Sequence, residues 1–467
     1  MTRLSLCLLS AVCIASTDGR FACDAEAPAT VSAPRVVEQP AASTSLPMDV
    51  RGLIGQAHGA SPMLCGLAAD GLTGWGGRWD DAPATPIGVA VRARVRRFPR
   101  GDELTPAEVR FLTDSIASSD ACVRELSIRL LGNFGGDAVA EQLVTLLGSS
   151  QTAGPVRETA ALGLGMIGGK VGITVLLRAL RDEEAGVRAN AIWALGRAND
   201  GRAVALIRDL LTDELVMVRQ AAAVALGRLD SLSSAEPLAR VLREDKTEGV
   251  RRNAAWALGE LEAKRAAPAL ATALQSDRDS EVREMAAWAL GEMETRDQAG
   301  TLVRALANDS SAAVRETAAW ALGSMEAKDA SEALGAAAGG DPRPRVRGTA
   351  AWALGQIEPP AAPRGLIKAL ADPEVDVRTK AAWALSEIGD TTATAAVQDA
   401  FRRETDSRAR RAQVRAIMHG GKASQEAFGE MLRSMDPEVR KAAVRGLAGE
   451  GQSDVWPWPW PRPRPNP

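Results

Sequence analysis

The stretches VREMAAWALGEME (282–294), VRETAAWALGSME (314–326) and VRGTAAWALGQIE (346–358) are near copies of one another. Each begins with Val-Arg, continues through small apolar residues and a Trp, and reaches a Leu-Gly pair. Their arginines are 32 residues apart. Self-similarity at a fixed period of this length is the sequence signature of a repeat protein. The period therefore decides the fold class before any single motif is considered.

The repeat extends well beyond these three copies. Eleven arginines, usually preceded by Val, follow one another at intervals of 30 to 33 residues. They are Arg124, Arg157, Arg188, Arg219, Arg251, Arg283, Arg315, Arg347, Arg378, Arg410 and Arg440. A second amphipathic stretch precedes each one, and two helices of about three turns with two short turns fill about 31 residues. The pattern predicts an all-α protein, an α-solenoid of about eleven helical hairpins in a right-handed superhelix.

Two further positions repeat with the arginine. An Asp lies six residues before it in seven units, which gives the pairs Asp182/Arg188, Asp213/Arg219, Asp245/Arg251, Asp277/Arg283, Asp309/Arg315, Asp341/Arg347 and Asp372/Arg378. We interpret these acids as turn caps beside the arginine of their own unit and of the next unit, with simple helix termination as the alternative. A Gly eight residues after the arginine, as in Gly259, either lets neighbouring helices approach closely or ends the second helix.

Tryptophans occupy a third recurring position, five residues after the arginine. The six are Trp193, Trp256, Trp288, Trp320, Trp352 and Trp383. On a helical wheel this position lies roughly 150° from the middle of the apolar stripe, which predicts that it points away from the core. Two interpretations stay open. The row lines a binding groove, since Trp is enriched in binding hot spots, or it packs neighbouring second helices together.

Polar residues, several of them charged, flank the tryptophans nine residues after the arginine. Arg197 and Arg228 hold this position in the third and fourth units, and Glu260 and Glu292 hold it in the fifth and sixth. The pattern predicts a groove that is basic at its N-terminal end and acidic further on, which suits an extended peptide or a partner helix. The alternative is an ordinary solvated helix surface.

The motif V-R-x-x-A-A-x-A-L-G resembles the HEAT-like repeats first named for phycocyanobilin lyase subunits, over residues 105–450. The resemblance implies that the second helices line a concave face and that the chain is a scaffold or adaptor that binds a protein or peptide. Members also include lyase subunits, so a lyase or chaperone-like subunit of that type is the alternative. Deoxyhypusine hydroxylase, another member, builds a di-iron site from His-Glu pairs. Here neither His58 nor His419 is followed by Glu.

Composition narrows the function further. The net charge is −3, and the sequence has no long basic run, which argues against a nucleic-acid-binding protein. With no Tyr, two His and no HExxH, GxSxG or GxxxxGK[ST] motif, many catalytic arrangements lack their residues. We therefore expect a monomeric binding protein that is not an enzyme and carries no cofactor or metal.

The N-terminal residues have the pattern of a secretory signal peptide. Arg3 precedes an apolar run from Leu4 to Ala15, which is too short to span a membrane. We predict a signal peptide over 1–15, a flexible linker over 16–48, a helical or irregular segment over 49–104, and a periplasmic or secreted protein.

Five cysteines are present, and two of them, Cys7 and Cys13, would leave with the signal peptide. The remaining three have no metal-binding spacing and allow at most one disulfide. Cys65 and Cys122 lie in apolar helical patterns, and we interpret them as small packed hydrophobes.

Within the C-terminal tail, residues 451–467, Pro alternates with Trp and Arg from Trp456 to Pro465. Its distinctive residues are Trp456, Trp458, Trp460, Arg462 and Arg464. Alternating Pro predicts an extended polyproline-II rod. Such a tail would dock into an aromatic groove or lie on a membrane surface, or it is a low-complexity extension. Membrane contact is expected only through this tail, and an envelope-associated structural protein anchored by it is a third hypothesis.

Overall fold

A computed structural model describes residues 50–66, 104–134, 136–168, 170–418, 429, 431–435 and 437–447 of the 467-residue chain. Within these ranges all the regular secondary structure is helical. The predicted signal peptide, linker and C-terminal tail lie outside the described residues. The first helix, α1, spans Val50–Ala57.

After α1 the chain forms a series of helical hairpins. Their first helices are α2 (Pro106–Ser115), α4 (Asp137–Gly148), α6 (Ile173–Ala179), α8 (Val204–Asp209), α10 (Ala235–Glu244), α12 (Ala267–Ser276), α14 (Ala299–Asn308), α16 (Ser331–Gly340), α18 (Arg364–Ala369) and α20 (Thr394–Arg403). Their second helices are α3 (Ala121–Phe134), α5 (Gly154–Ile167), α7 (Ala185–Ala198), α9 (Val216–Arg228), α11 (Glu248–Glu260), α13 (Ser280–Glu292), α15 (Ala312–Ser324), α17 (Pro344–Ile357), α19 (Val375–Ile388) and α21 (Ser407–Met418). The last helix, α22 (Pro437–Leu447), is the second helix of an eleventh unit.

Every predicted repeat arginine lies in one of these second helices, so the all-α solenoid is confirmed. From α5 to α21, each second helix packs against the first helix of its own unit and against the second helices on either side. The residues that the helical wheel assigns to the apolar stripe are buried in the structure. In α13 the stripe comprises Val282, Ala286 and Leu290, which are all fully buried. One hydrophobic core runs through the stacked units in this way.

The second helices end at a residue that the sequence did not single out. The Gly eight residues after the arginine lies within the helix, so the helix-ending interpretation is wrong. In α13 the terminating residue is Glu294, which has a left-handed φ of 50°. The amide of Glu294 donates to the carbonyl of Gly291, and that of Thr295 donates to Leu290. This is the Schellman pattern, which usually has Gly in the left-handed position.

The segment before the repeats covers the N-terminal end of the solenoid. Helix α1 packs against α3, and Arg51 lies 4.6 Å from the ring centroid of Phe111 in α2. Cys65 and Cys122 are buried, as expected, but they form a disulfide, so their interpretation as free packed residues is wrong. The two cysteines are 57 residues apart, and the sequence between them has no repeat pattern. Nothing in the sequence indicated that they pair.

Candidate binding face of the second helices

The repeat arginines and aspartates form an ion-pair ladder. Arg283 donates from Nε to Oδ2 of Asp309 at 2.7 Å and from Nη2 to Oδ1 at 2.9 Å. Its Nη1 also donates to the backbone carbonyl of Asp277 at 2.9 Å. The Asp309 carboxylate accepts the amide of Ser311 at 2.8 Å, which caps the turn into α15. One arginine therefore ties together the turns of two successive units.

The same bidentate pair joins eight successive interfaces. The pairs are Arg157–Asp182, Arg188–Asp213, Arg219–Asp245, Arg251–Asp277, Arg283–Asp309, Arg315–Asp341, Arg347–Asp372 and Arg378–Glu404. These hydrogen bonds give the acids a structural role in the turns, and they require one correction to the sequence analysis. Each carboxylate binds the arginine of the preceding unit, not of the next one. In the seven units with Asp, the arginine of the same unit binds the backbone carbonyl of that Asp. A bidentate pair reaches only the adjacent turn, and a linear sequence does not show on which side that turn lies.

The ladder shifts the ionisation of its members. Burial raises the pKa of Asp309, but the hydrogen bonds and charge of Arg283 and the amide of Ser311 outweigh it. The net pKa of Asp309 is lowered. The pKa of Arg283 is raised, chiefly by its hydrogen bonds to Asp309. Both groups stay ionised near neutral pH, and this matches a structural role.

The tryptophans lie between neighbouring second helices. Trp288, Trp352 and Trp383 are buried, with 5%, 6% and 3% of their surface exposed, while Trp193, Trp256 and Trp320 are half-buried. The expectation that this position points away from the core is therefore wrong. The wheel treats one helix alone, whereas each ring lies over a glycine of the preceding second helix. Inter-repeat packing describes these contacts, and little of the buried rings is left for a partner.

The recurring glycines make room for those rings. A methyl group on Gly259 would lie 2.8 Å from Cζ3 of Trp288 and 3.0 Å from Cβ of Ala289. Gly291 and Gly323 meet the next tryptophan and alanine in the same way. Real Cβ atoms do not approach other atoms this closely, so only Gly fits. The close-approach interpretation of this position is confirmed.

The position nine residues after the arginine is on the surface. Arg197, Arg228, Glu260 and Glu292 are all exposed, as is Ser324 in the seventh unit. Arg197 donates from Nε to the carbonyl of Gly165 at 3.0 Å, and its guanidinium lies 5.1 Å from the ring centroid of Trp193. The predicted change from basic to acidic therefore falls on solvent-facing side chains.

The position one residue after the arginine forms a second row of contacts between units. Arg252 pairs with Glu281 of the next unit, and Glu316 pairs with Arg345 at 3.2 Å. For Glu284, the residue of the next unit that aligns with Glu281 and Arg345 is Ala313, which has no charge. Burial, and then the charge of Glu316, raises the pKa of Glu284. Glu directly follows the repeat arginine in four units, at Glu125, Glu158, Glu284 and Glu316, but the sequence alone did not indicate that Glu284 and Glu316 are half-buried.

No cluster of three or more His, Cys, Asp or Glu side chains able to hold a metal ion occurs in the described ranges. In the same part of the chain, no helix is both long and apolar enough to cross a membrane. The described part of the chain does not include the tail residues Trp456, Trp458, Trp460, Arg462 and Arg464.

The family model for HEAT repeats matches residues 109–188, 173–259, 235–323, 299–376 and 332–418. These overlapping matches cover more than half of the chain, which therefore belongs to the HEAT-repeat family. No curated protein matches the sequence.

Two solved structures with TM-scores above 0.5 share the fold. Kap95p in its complex with RanGDP has a TM-score of 0.54 at 12% identity, over 83% of this chain and 62% of Kap95p. Importin beta has a TM-score of 0.54 at 14% identity, with the same coverage of 83% and 62%. This chain thus spans less than two thirds of either protein. The CpcE–CpcF complex of phycocyanin lyase from Nostoc sp. PCC7120 has a TM-score of 0.31 at 24% identity, over 53% of this chain and 93% of the other.

Proposed function

We propose that this protein is an exported scaffold that binds a protein or extended peptide along its second helices, and that it is not an enzyme. One observation carries the proposal. Positions that hold the fold repeat almost unchanged, whereas exposed positions beside them differ from unit to unit. The ladder arginine is constant across the aligned units, while the position nine residues later changes from Arg228 to Glu260 to Ser324. A constant framework with variable exposed side chains gives a repeat protein an extended binding surface.

The form of this surface indicates the form of the partner. Packed helices lie about 8–10 Å apart, so each unit would contact a short piece of an extended segment or one turn of a helix. Basic side chains at units three and four and acidic ones at units five and six favour a partner with charges in the opposite order. Kap95p, a protein of the same fold, binds RanGDP. This supports protein binding at the level of the fold.

Affinity capture with charge-reversed variants tests the proposal. The first variant is Arg228→Glu/Glu260→Arg/Glu292→Arg, on the exposed row of the second helices. The control is Arg240→Glu/Asp297→Arg/Glu332→Arg, which reverses three exposed charges on first helices and their turns and changes the net charge equally. We expect a partner from an envelope extract to be retained by wild type and control and lost by the first variant. If a folded first variant retains the partner, the proposed face is wrong.

Two observations support export. The leader at residues 1–15 has the charge, apolar run and small-residue end of a signal peptide. Disulfides such as Cys65–Cys122 persist mainly in oxidising compartments. Cell fractionation followed by N-terminal sequencing tests this part. We expect an envelope or secreted protein that lacks residues 1–15, and recovery of the uncleaved chain from the cytoplasm would contradict it.

A further inference from the structure

Each second helix contacts the next unit through one side, here called its leading side. The repeat arginine lies on it and binds the acid of the next unit, as Arg283 binds Asp309. The glycine eight residues later also lies on it and meets the next tryptophan, as Gly259 meets Trp288. Residues four apart share one face of a helix, so the residue midway between the arginine and the glycine lies on the leading side too. In α13 this residue is Ala287.

The midway position is covered in every unit except the last. Its residue is at most 1% exposed in the first ten units, from Ile128 to Val414. In the eleventh unit it is Val444, which is 56% exposed. Helix α22 packs against α21, and no repeat arginine follows Arg440 in the alignment. The leading side of α22 therefore has no helix over it among the described residues.

Two other residues of the eleventh unit are uncovered in the same way. Arg440 keeps the bond that repeat arginines make within their own turn, to the carbonyl of Ser434. It is exposed, and it pairs with no carboxylate in the described part of the chain. Leu432 is 39% exposed, whereas Leu370, at the aligned position of the ninth unit, is 4% exposed. The eleventh unit thus presents apolar and cationic groups that other units cover.

The chain itself supplies a segment that reaches this surface. Stacked repeats need a cap, because the last unit carries the apolar contacts that are used at every interface. Residues 448–467 follow α22 directly and include Trp456, Trp458 and Trp460. Trp456 is nine residues beyond Leu447, and nine extended residues span up to about 30 Å. Because α22 is only about 16 Å long, the tryptophans reach all of its leading side.

The chemistry of the tail suits the leading side of α22. Arg440 and Lys441 are exposed and lie one turn before Val444 on the same helix face. A Trp ring covers an apolar side chain and also attracts a cation to its face. In a polyproline-II rod three residues complete a turn, so tryptophans two residues apart point in three directions. One of the three rings would face α22 in any rotation of such a rod.

We propose that the C-terminal tail folds back on α22 and caps the solenoid, with one of Trp456, Trp458 and Trp460 over Val444. The ring takes the place that the next unit takes at the internal interfaces. Because the tail belongs to the same chain, its effective concentration at α22 is about millimolar, which favours it over a second copy. The tail then completes the fold and is not a membrane anchor.

Photo-crosslinking within the full-length protein tests the cap. Benzoylphenylalanine replaces Val444 in one protein. In the control it replaces Val171, another exposed Val, eight units away. The purified proteins are irradiated in dilute solution, and the monomer band is digested and analysed by mass spectrometry. We expect the Val444 position to link to residues 451–467 within one chain and the Val171 position not to do so.

Tail variants identify the group that docks. Trp456→Ser/Trp458→Ser/Trp460→Ser should lower the yield of the tail crosslink about tenfold, since a ring contact accounts for a factor of that size. Arg462→Gln/Arg464→Gln is the matched control and should retain the yield. All five residues follow the last repeat helix, so neither variant changes a contact between units.

The inference is overturned if the Val444 position links to no tail residue, or if the tryptophan variant retains the full yield. Crosslinks that join two chains instead of one would also overturn it, because a second copy would then cover this side of α22. The scaffold proposal does not depend on any of these outcomes.

Discussion

Arg283 and Arg228 are both on second helices, yet their surroundings differ in every respect. Arg283 is largely buried, and it binds one carboxylate and two backbone carbonyls in two neighbouring turns. Arg228 is exposed and has a second arginine nearby. The difference shows how this chain separates two tasks. One set of positions repeats and holds the units together, and another set faces solvent and varies.

Removal of a framework ring should have the largest effect. Trp288→Ala would empty the space between Gly259 and the next helix, and we expect the free energy of unfolding to fall by about 3–5 kcal/mol. Urea denaturation followed by circular dichroism measures it. Trp288→Phe should cost clearly less, since it keeps a ring and removes an indole N–H that has no hydrogen-bond partner among the described residues. Equal losses for the two variants would contradict the packing role of this ring.

The two arginines themselves give the next test. Arg283→Ala leaves the buried carboxylate of Asp309 without its partner and should lower the free energy of unfolding by about 3 kcal/mol. Arg228→Ala removes an exposed side chain and should change it by less than about 0.5 kcal/mol. Both are measured by the same urea denaturation. If Arg228→Ala costs as much as Arg283→Ala, the division into framework and binding positions fails.

Acid should weaken the ion-pair ladder. The folded-state pKa values of Asp277 and Asp309 are lowered. Their contribution is therefore complete above the unfolded pKa of about 3.9 and is lost as pH falls through the folded values. Within that range, protonation of each Asp lowers the free energy of unfolding by up to about 1.4 kcal/mol per pH unit. Thermal unfolding from pH 7 to 2 should show wild type approaching Asp309→Asn as pH falls. If the difference in stability between the two proteins stays constant from pH 7 to 2, the ionised Asp309 carboxylate does not stabilise the fold.

The smallest effect concerns the helix ends. Glu294 has a left-handed backbone that costs a side-chain-bearing residue about 1–2 kcal/mol, and Gly adopts it freely. Glu294→Gly should therefore raise the free energy of unfolding by about 0.5–1 kcal/mol after the greater chain entropy of Gly is counted. Gly389→Glu, at the equivalent left-handed position of α19, should lower it by a similar amount. Changes of the same sign in both variants would contradict this account.

The fold was predictable because the hairpin repeats eleven times and each copy confirms the others. The same periodicity located Arg283, Asp309 and Gly259, whose roles depend on an identical neighbour one unit away. Sequence reasoning failed where the direction of a side chain depends on a neighbouring helix. A helical wheel places Trp288 opposite the core because it omits the neighbouring helix, whose glycine accepts the ring.

Two other features were missed for different physical reasons. The disulfide joins Cys65, before the first unit, to Cys122 within it, so periodicity carries no information about the pair. The left-handed residues at the helix ends are Glu in four consecutive units, where Gly is the usual residue. Gly168 and Gly389, at the aligned positions in the second and ninth units, were the available signal, and both have positive φ.

The location of a bound partner tests the central claim most directly. Benzoylphenylalanine, a photo-crosslinking residue, would replace Glu260 or Glu292 on the second helices in one set of proteins. It would replace Arg240 or Glu332, which are exposed on first helices, in the other set. The account predicts that irradiation in the source cells links a partner to Glu260 and Glu292 positions and not to the first-helix positions. Crosslinks from Arg240 and Glu332 positions alone would contradict it.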